Sequence, residues 1–154
     1  MSALPVSMIY TQDAILLQRI QGYLHARATL HHLTDPVALE RCLHQHKSTL
    51  LFVDLRAADC LQMIEQTNKE FPEVLIIALG AVRAEPALLA SSMGVYAVES
   101  AELDRLRLQT LFDQAQAHLR LQRENRVLKE KSLQPAPAPP VRENITPSLY
   151  HFSS

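Results

Sequence analysis

The sequence predicts an α/β fold in which one parallel sheet is covered by helices on both faces. Three observations carry this prediction. Apolar runs of strand length alternate with segments of helical period. Two of the runs, residues 50–53 and 74–79, are apolar at every position, as in strands buried on both sides. Five strand–helix units follow one another, and such alternation leads through right-handed crossovers into a single parallel sheet.

The first strand is expected at 6–10. Ile15, Leu16, Ile20, Tyr23 and Leu24 then fall at helical spacing. A short second strand follows at 28–33. Thr34 or Asp35 caps the next helix, which has Pro36 in its first turn and turns Val37, Leu39, Cys42 and Leu43 inward. The third strand, 50–53, ends at Asp54. A helix over 59–70 uses Leu61, Met63 and Ile64 and stops at Phe71-Pro72. After the fourth strand, Glu85-Pro86 opens a helix through Met93, with Gly94 as its C-terminal stop. The fifth strand is expected at 95–98. From Glu102 to Pro135 no glycine or proline intervenes, which predicts a helix of about 30 residues, roughly 45 Å long. Its first half, with Leu103, Leu106, Leu111 and Phe112, should pack on the sheet. The five units match the flavodoxin-like (βα)5 doubly wound order 2-1-3-4-5, where chemistry gathers at the carboxyl ends of the first and third strands. Asp54 stands at the second of these places.

Composition narrows the function. A chain of 154 residues has room for one domain and an extension, and 47% hydrophobic content is enough for a core. The net charge of −1 gives no basic field for nucleic acid, so a nucleic-acid partner is not expected. Cys42 and Cys60 make no disulfide framework and fit a reducing, cytoplasmic setting. No apolar run has the length of a membrane span, and the N-terminus lacks signal-peptide features. With three glycines, glycine-rich nucleotide loops are excluded. His31, His32, Cys42, His44 and His46 match no zinc spacing, and no metal is expected there. No Ser/His/Asp or Cys/His set is evident, so no enzyme is expected.

The stretch Leu50-Leu51-Phe52-Val53-Asp54-Leu55-Arg56, then Phe71-Pro72-Glu73-Val74-Leu75-Ile76-Ile77-Ala78-Leu79, then Gly94-Val95-Tyr96, resembles the receiver domain of response regulators. The resemblance covers about residues 6 to 130. It implies that Asp54 is at the phosphoacceptor position. Phosphorylated receivers also have an acidic pair after the first strand that helps bind Mg²⁺, a Ser or Thr ending the fourth strand, and a Lys after the fifth. Here Tyr10 and Thr11 fall at the acidic pair, with Asp13 nearby, Gly80 at the hydroxyl position and Ala101 at the lysine position. Mg²⁺ needs oxygen ligands in near-octahedral geometry, and the phosphoryl-transfer transition state needs its charge neutralised. Regulated phosphorylation of Asp54 is therefore not expected, and no cofactor is. Asp54 is read as a polar residue held by backbone N–H groups or by Arg56. The chain reads as a degenerate, pseudo-receiver module.

In the long helix, heptads set with Leu111, His118 and Asn125 at position a place Leu121 and Leu128 at d. Asn at a favours a parallel two-stranded coiled coil in fixed register, and Glu124 at g would face Lys129 at the next e of a partner helix. A parallel homodimer through Leu111, His118, Leu121, Asn125 and Leu128 is expected. The organisation is then a receiver-like domain at 4–114, a coiled-coil extension at 115–132, a Pro-rich linker at 133–147 and a tail at 148–154 that reads as the start of an output domain. That output would be an AAA+ transcription activator, a sensor kinase or a cyclic-nucleotide enzyme, within phosphorelay signal transduction. Two alternatives keep the fold: a phosphorylatable receiver using Asp13 and Asp54 with Mg²⁺, and a small-molecule sensor using the pocket left by the missing acids. An antiterminator built on a pseudo-receiver would need a helical RNA-binding domain beyond the linker.

Overall fold

A computed structural model of the chain describes residues 4–132; the linker and tail expected at 133–147 and 148–154 lie outside the described residues. Five parallel strands form one sheet in the order β2-β1-β3-β4-β5, with β1 Val6–Tyr10, β2 Thr29–Leu33, β3 Leu50–Asp54, β4 Leu75–Leu79 and β5 Ala97–Glu99. The helices are α1 Ala14–Leu24, α2 Pro36–Gln45, α3 Cys60–Glu70, α4 Glu85–Ser92 and α5 Arg105–Ser132. This is the flavodoxin-like doubly wound order expected from the sequence.

Strand side chains alternate between two cores, as the two-residue period of a strand requires. Met8, Tyr10, Leu51, Val53, Ile76 and Ala78 pack with Leu39 and Leu43 of α2, Met63 and Ile64 of α3, and Ala87 and Ala90 of α4. Ile9, Leu50, Phe52, Ile77 and Leu79 pack on the other face with Leu16 and Ile20 of α1 and Leu108, Leu111, Phe112, Ala115 and Leu119 of α5. Every position of β3 and β4 is buried, which is why both read as uninterrupted apolar runs.

Several boundaries and inward positions differ from the sequence expectation, each for a local reason. The Ala28 N–H closes the end of α1 on the Leu24 carbonyl, so β2 starts at Thr29. Asp35, not Thr34, caps α2 by accepting from the Ala38 N–H. Val37 is 65% exposed, because it lies two residues, or about 200°, from the inward Leu39. Gly94, at φ +85°, turns the chain after α4, and β5 forms at Ala97–Glu99 rather than 95–98. Helix α5 starts at Arg105 rather than Glu102, since the Asp104 carboxylate accepts from the Arg107 N–H and caps it there. Leu106 is 74% exposed, and Leu108 takes the inward place expected for it. The compact unit runs through Gln122, past the boundary expected after residue 114, because Ala115 and Leu119 are buried in the core. From Arg123 the described residues form the remainder of α5, in which Val127 and Leu128 are exposed. No described helix is long and apolar enough to cross a membrane.

Candidate functional site

Asp54 ends β3 at the middle of the sheet, and its side chain is buried. Its two oxygens accept four hydrogen bonds. Oδ1 accepts from the Arg56 backbone N–H at 2.9 Å and from Arg56 Nε at 3.0 Å. Oδ2 accepts from the Thr11 hydroxyl at 2.6 Å and from Arg56 Nη2 at 3.1 Å. A carboxylate has about four lone-pair sites, so its accepting capacity is filled. Of the two holders anticipated for Asp54, backbone N–H groups or Arg56, both occur, and both come from Arg56. Its fork is bidentate, the geometry in which a guanidinium best matches a carboxylate.

The same guanidinium reaches a second loop. Arg56 Nη2 lies 2.6 Å from Asp13 Oδ2, while Asp13 Oδ1 caps α1 by accepting from the Ile15 and Leu16 N–H groups at 2.8 and 3.4 Å. Thr11 is fixed in turn: its Oγ1 accepts from the Asp13 N–H at 3.0 Å, and His32 Nε2 lies 2.8 Å from its carbonyl oxygen. A carbonyl only accepts, so Nε2 is the protonated nitrogen of His32. Burial pushes the Asp54 carboxyl up, but the hydrogen bonds from Arg56 and Thr11 outweigh it and hold the group below the ordinary carboxylate value. Asp13 is lowered chiefly by its Arg56 bond, and Arg56 is raised by both carboxylates, Asp54 first.

Tyr10 faces the other way. Its hydroxyl donates to both Asp59 oxygens, at 3.2 and 3.0 Å, which ties β1 to the start of α3. Burial and this bond push the phenol up to about 12, so it remains a neutral donor at ordinary pH. Gly80, just past β4, has Leu55 against it: a Cβ built at Gly80 would stand 2.9 Å from Leu55 Cβ and 3.2 Å from Leu55 Cδ1. Ala101 packs at the edge of the α1/α5 core, and its carbonyl accepts from Arg19 Nη1 at 2.5 Å.

Solved structures resemble this arrangement of elements. A signal receiver domain of an HD domain-containing protein from Pseudomonas fluorescens Pf-5 matches with a TM-score of 0.72 at 22% identity, over 80% of this chain and 95% of that one. A response regulator from Thermotoga maritima matches with a TM-score of 0.64 at 16% identity, over 73% and 98% of the two chains. The chain has the receiver fold. NtrX from Brucella abortus, in complex with ADP, matches with a TM-score of 0.74 at 18% identity, over 84% of this chain and 30% of that one. No protein-family model and no curated protein matches the chain.

A cleft of about 230 Å³ is lined by Gln12, Asp13, Asp54, Arg56 and Ala57. Its residues do not fit a magnesium ion. Tyr10 and Thr11, at the places expected for the acidic pair, carry a phenol and a hydroxyl, the Asp54 oxygens are already bonded, and a guanidinium lies between the Asp13 and Asp54 carboxylates. Among the described residues no group of three or more His, Cys, Asp or Glu side chains could hold a metal. The histidines go elsewhere: His31 lies beside His46 with ring centroids 5.8 Å apart, and His44 meets Phe71 edge-on.

The helix positions expected at a dimer seam separate into two sets. Leu111 is 3% exposed in its own domain's core and cannot also serve as a contact between chains. His118 lies beside Tyr96, at 5.4 Å between ring centroids, and is exposed. Leu121 and Leu128 are 57% and 62% exposed, and Glu124, Asn125 and Lys129 are also on the surface. The sequence named Tyr10, Thr11 and Gly80 only for what they lack, and Asp13 as a nearby acid. It offered no signal for the Tyr10–Asp59 bond or the Leu55–Gly80 contact, which join residues far apart in the chain.

Proposed function

We propose that this chain is a pseudo-receiver: a non-catalytic regulatory and dimerisation module of a two-component-type signalling protein that works through protein contact. One observation carries the reading. The carboxylate at the phosphoacceptor position already has four donors, all from Arg56 and Thr11, and its nearest cation is a side chain of the same loop. A free carboxylate oxygen is the nucleophile that phosphoryl transfer requires, and this cleft offers neither that nor the free oxygen ligands that would hold a metal ion to gather the developing charge. Gly80 adds support, since no hydroxyl is present there to grasp a phosphoryl oxygen.

Dimerisation rests on Leu121, Asn125 and Leu128, which follow the four-and-three spacing of a seam and are exposed. Asn125 favours a parallel pair in one register. The partner acted upon is an output module or another signalling protein. The match to 30% of NtrX and to half of a probable response regulator/GGDEF domain protein supports a receiver working beside a larger output region.

Beryllofluoride with Mg²⁺ tests the reading by NMR. The amide resonances of Leu55 and Gly80 should stay in place. Saturable shifts at both would identify a phosphorylatable receiver using Asp13 and Asp54 instead.

A further inference from the structure

The loop between β3 and α3, residues 55–59, is held at three points. The Leu55 N–H donates to the Leu79 carbonyl at 2.9 Å, and the Leu55 side chain lies on Gly80. Asp59 receives the Tyr10 hydroxyl. Between them Arg56 leaves its own loop and reaches Asp13 across the cleft. Leu55 and Tyr10 are buried, whereas the Arg56 side chain is 58% exposed. The arginine arm is thus the most exposed of the three fastenings.

Asp13 and Asp54 stand at the heads of neighbouring strands, and both carboxyls are held in the ionised range. Two like charges at such a place need a cation between them. Without Arg56 the buried Asp54 would keep only the Thr11 hydroxyl and the backbone N–H of residue 56. We propose that Arg56 is a conformational latch: a cation tethered two residues from Asp54 that fastens the β1–α1 and β3–α3 loops in one closed arrangement. The proposal rests on the pseudo-receiver reading and names what enforces it. A short tether keeps the guanidinium at high effective concentration, so no ion from solution is needed. The planar fork suits two carboxylate groups in a way that a point charge does not.

The test uses Arg56→Ala and Arg56→Lys in the full chain. Three readouts are followed: microsecond–millisecond exchange at the amides of residues 12–13 and 55–58, the side-chain carboxyl titration of Asp54, and rescue by methylguanidinium against NaCl and MgCl₂ at matched ionic strength. The titratable groups around the loop are Asp13, Arg56, Asp59, Tyr10 and Cys60. In Arg56→Ala both loops should gain exchange and the Asp54 titration should move upward. Methylguanidinium should reverse both effects, and Arg56→Lys should restore them in part. The latch is overturned if Arg56→Ala changes neither readout, or if Mg²⁺ reverses the changes and methylguanidinium does not. Should Arg56→Ala fail to fold, Asp13→Asn removes the far anchor alone. It should loosen both loops, and silence there overturns the latch as well. Beryllofluoride binding by the unaltered chain would count against the pseudo-receiver reading, whereas these variants address the latch itself.

Discussion

Gly80 offers the sharpest test of how the head of the sheet is built. Its backbone is not in the left-handed region, which among the described residues only Gly94 occupies, so its need for glycine is steric. A Cβ there would meet Leu55 Cβ at 2.9 Å, Cδ1 at 3.2 Å and Cγ at 3.5 Å. Carbon atoms prefer about 3.5–4.0 Å, so the closest pair must separate by roughly 0.6 Å or more. Leu55 cannot yield by rotating, because the nearest atom is its Cβ and its backbone N–H is bonded to the Leu79 carbonyl. Overpacking of this kind costs about 1–3 kcal/mol. Loss of glycine's freedom in the unfolded chain offsets about 0.4–1 kcal/mol. The net expectation for Gly80→Ala is a loss of about 1 kcal/mol, and Gly80→Thr should lose more. Urea melts followed by circular dichroism measure this directly. In a cycle with Leu55→Gly, most of the Gly80→Ala cost should vanish, whereas Leu55→Ala, which keeps the offending Cβ, should relieve it only in part. A Gly80→Ala chain as stable as the parent, or more stable, would refute the steric argument.

Thr11→Val should cost about 1.5–3 kcal/mol in the same melts, since it removes a hydroxyl donor from a buried carboxylate while keeping the shape of the side chain. The folded-state values of Asp54 and Asp13 lie below their unfolded ones, so their contribution to stability is full above the ordinary carboxylate value of about 4 and is lost as pH falls through the folded values. Asp54→Asn should flatten that acid slope, and an unchanged slope would count against it. In sedimentation, Leu121→Glu should yield monomers if the exposed seam joins two chains, while Asn125→Leu should tighten association and relax its register. A parent chain that is monomeric at high concentration ends the dimer proposal.

The sheet order was legible because β3 and β4 are buried on both faces and so carry an unbroken apolar signal. Helix edges were less so, since Asp104 and Asp35 compete with neighbouring polar residues for the capping role and only the backbone decides among them. The heptad pattern placed Leu111 at a seam as well as on the sheet, and only the second placement holds: the stripe through Leu108, Leu111, Ala115 and Leu119 is taken by the sheet. At the site, Arg56 could be named as a partner for Asp54 because it is two residues away. Its bridge to Asp13 could not, since that contact depends on the separation of two loops.

Tyr10 resists replacement by an acid. Its ring fills the end of β1, and its hydroxyl serves Asp59. An acid placed there by a single substitution would deprive Asp59 of that donor. It would also add one more negative charge beside Asp59. Gly80 resists a larger side chain in the same way, by collision rather than by charge. Each single substitution toward the acids and hydroxyl of a phosphorylated receiver, at Tyr10 or at Gly80, is therefore expected to lower folding stability.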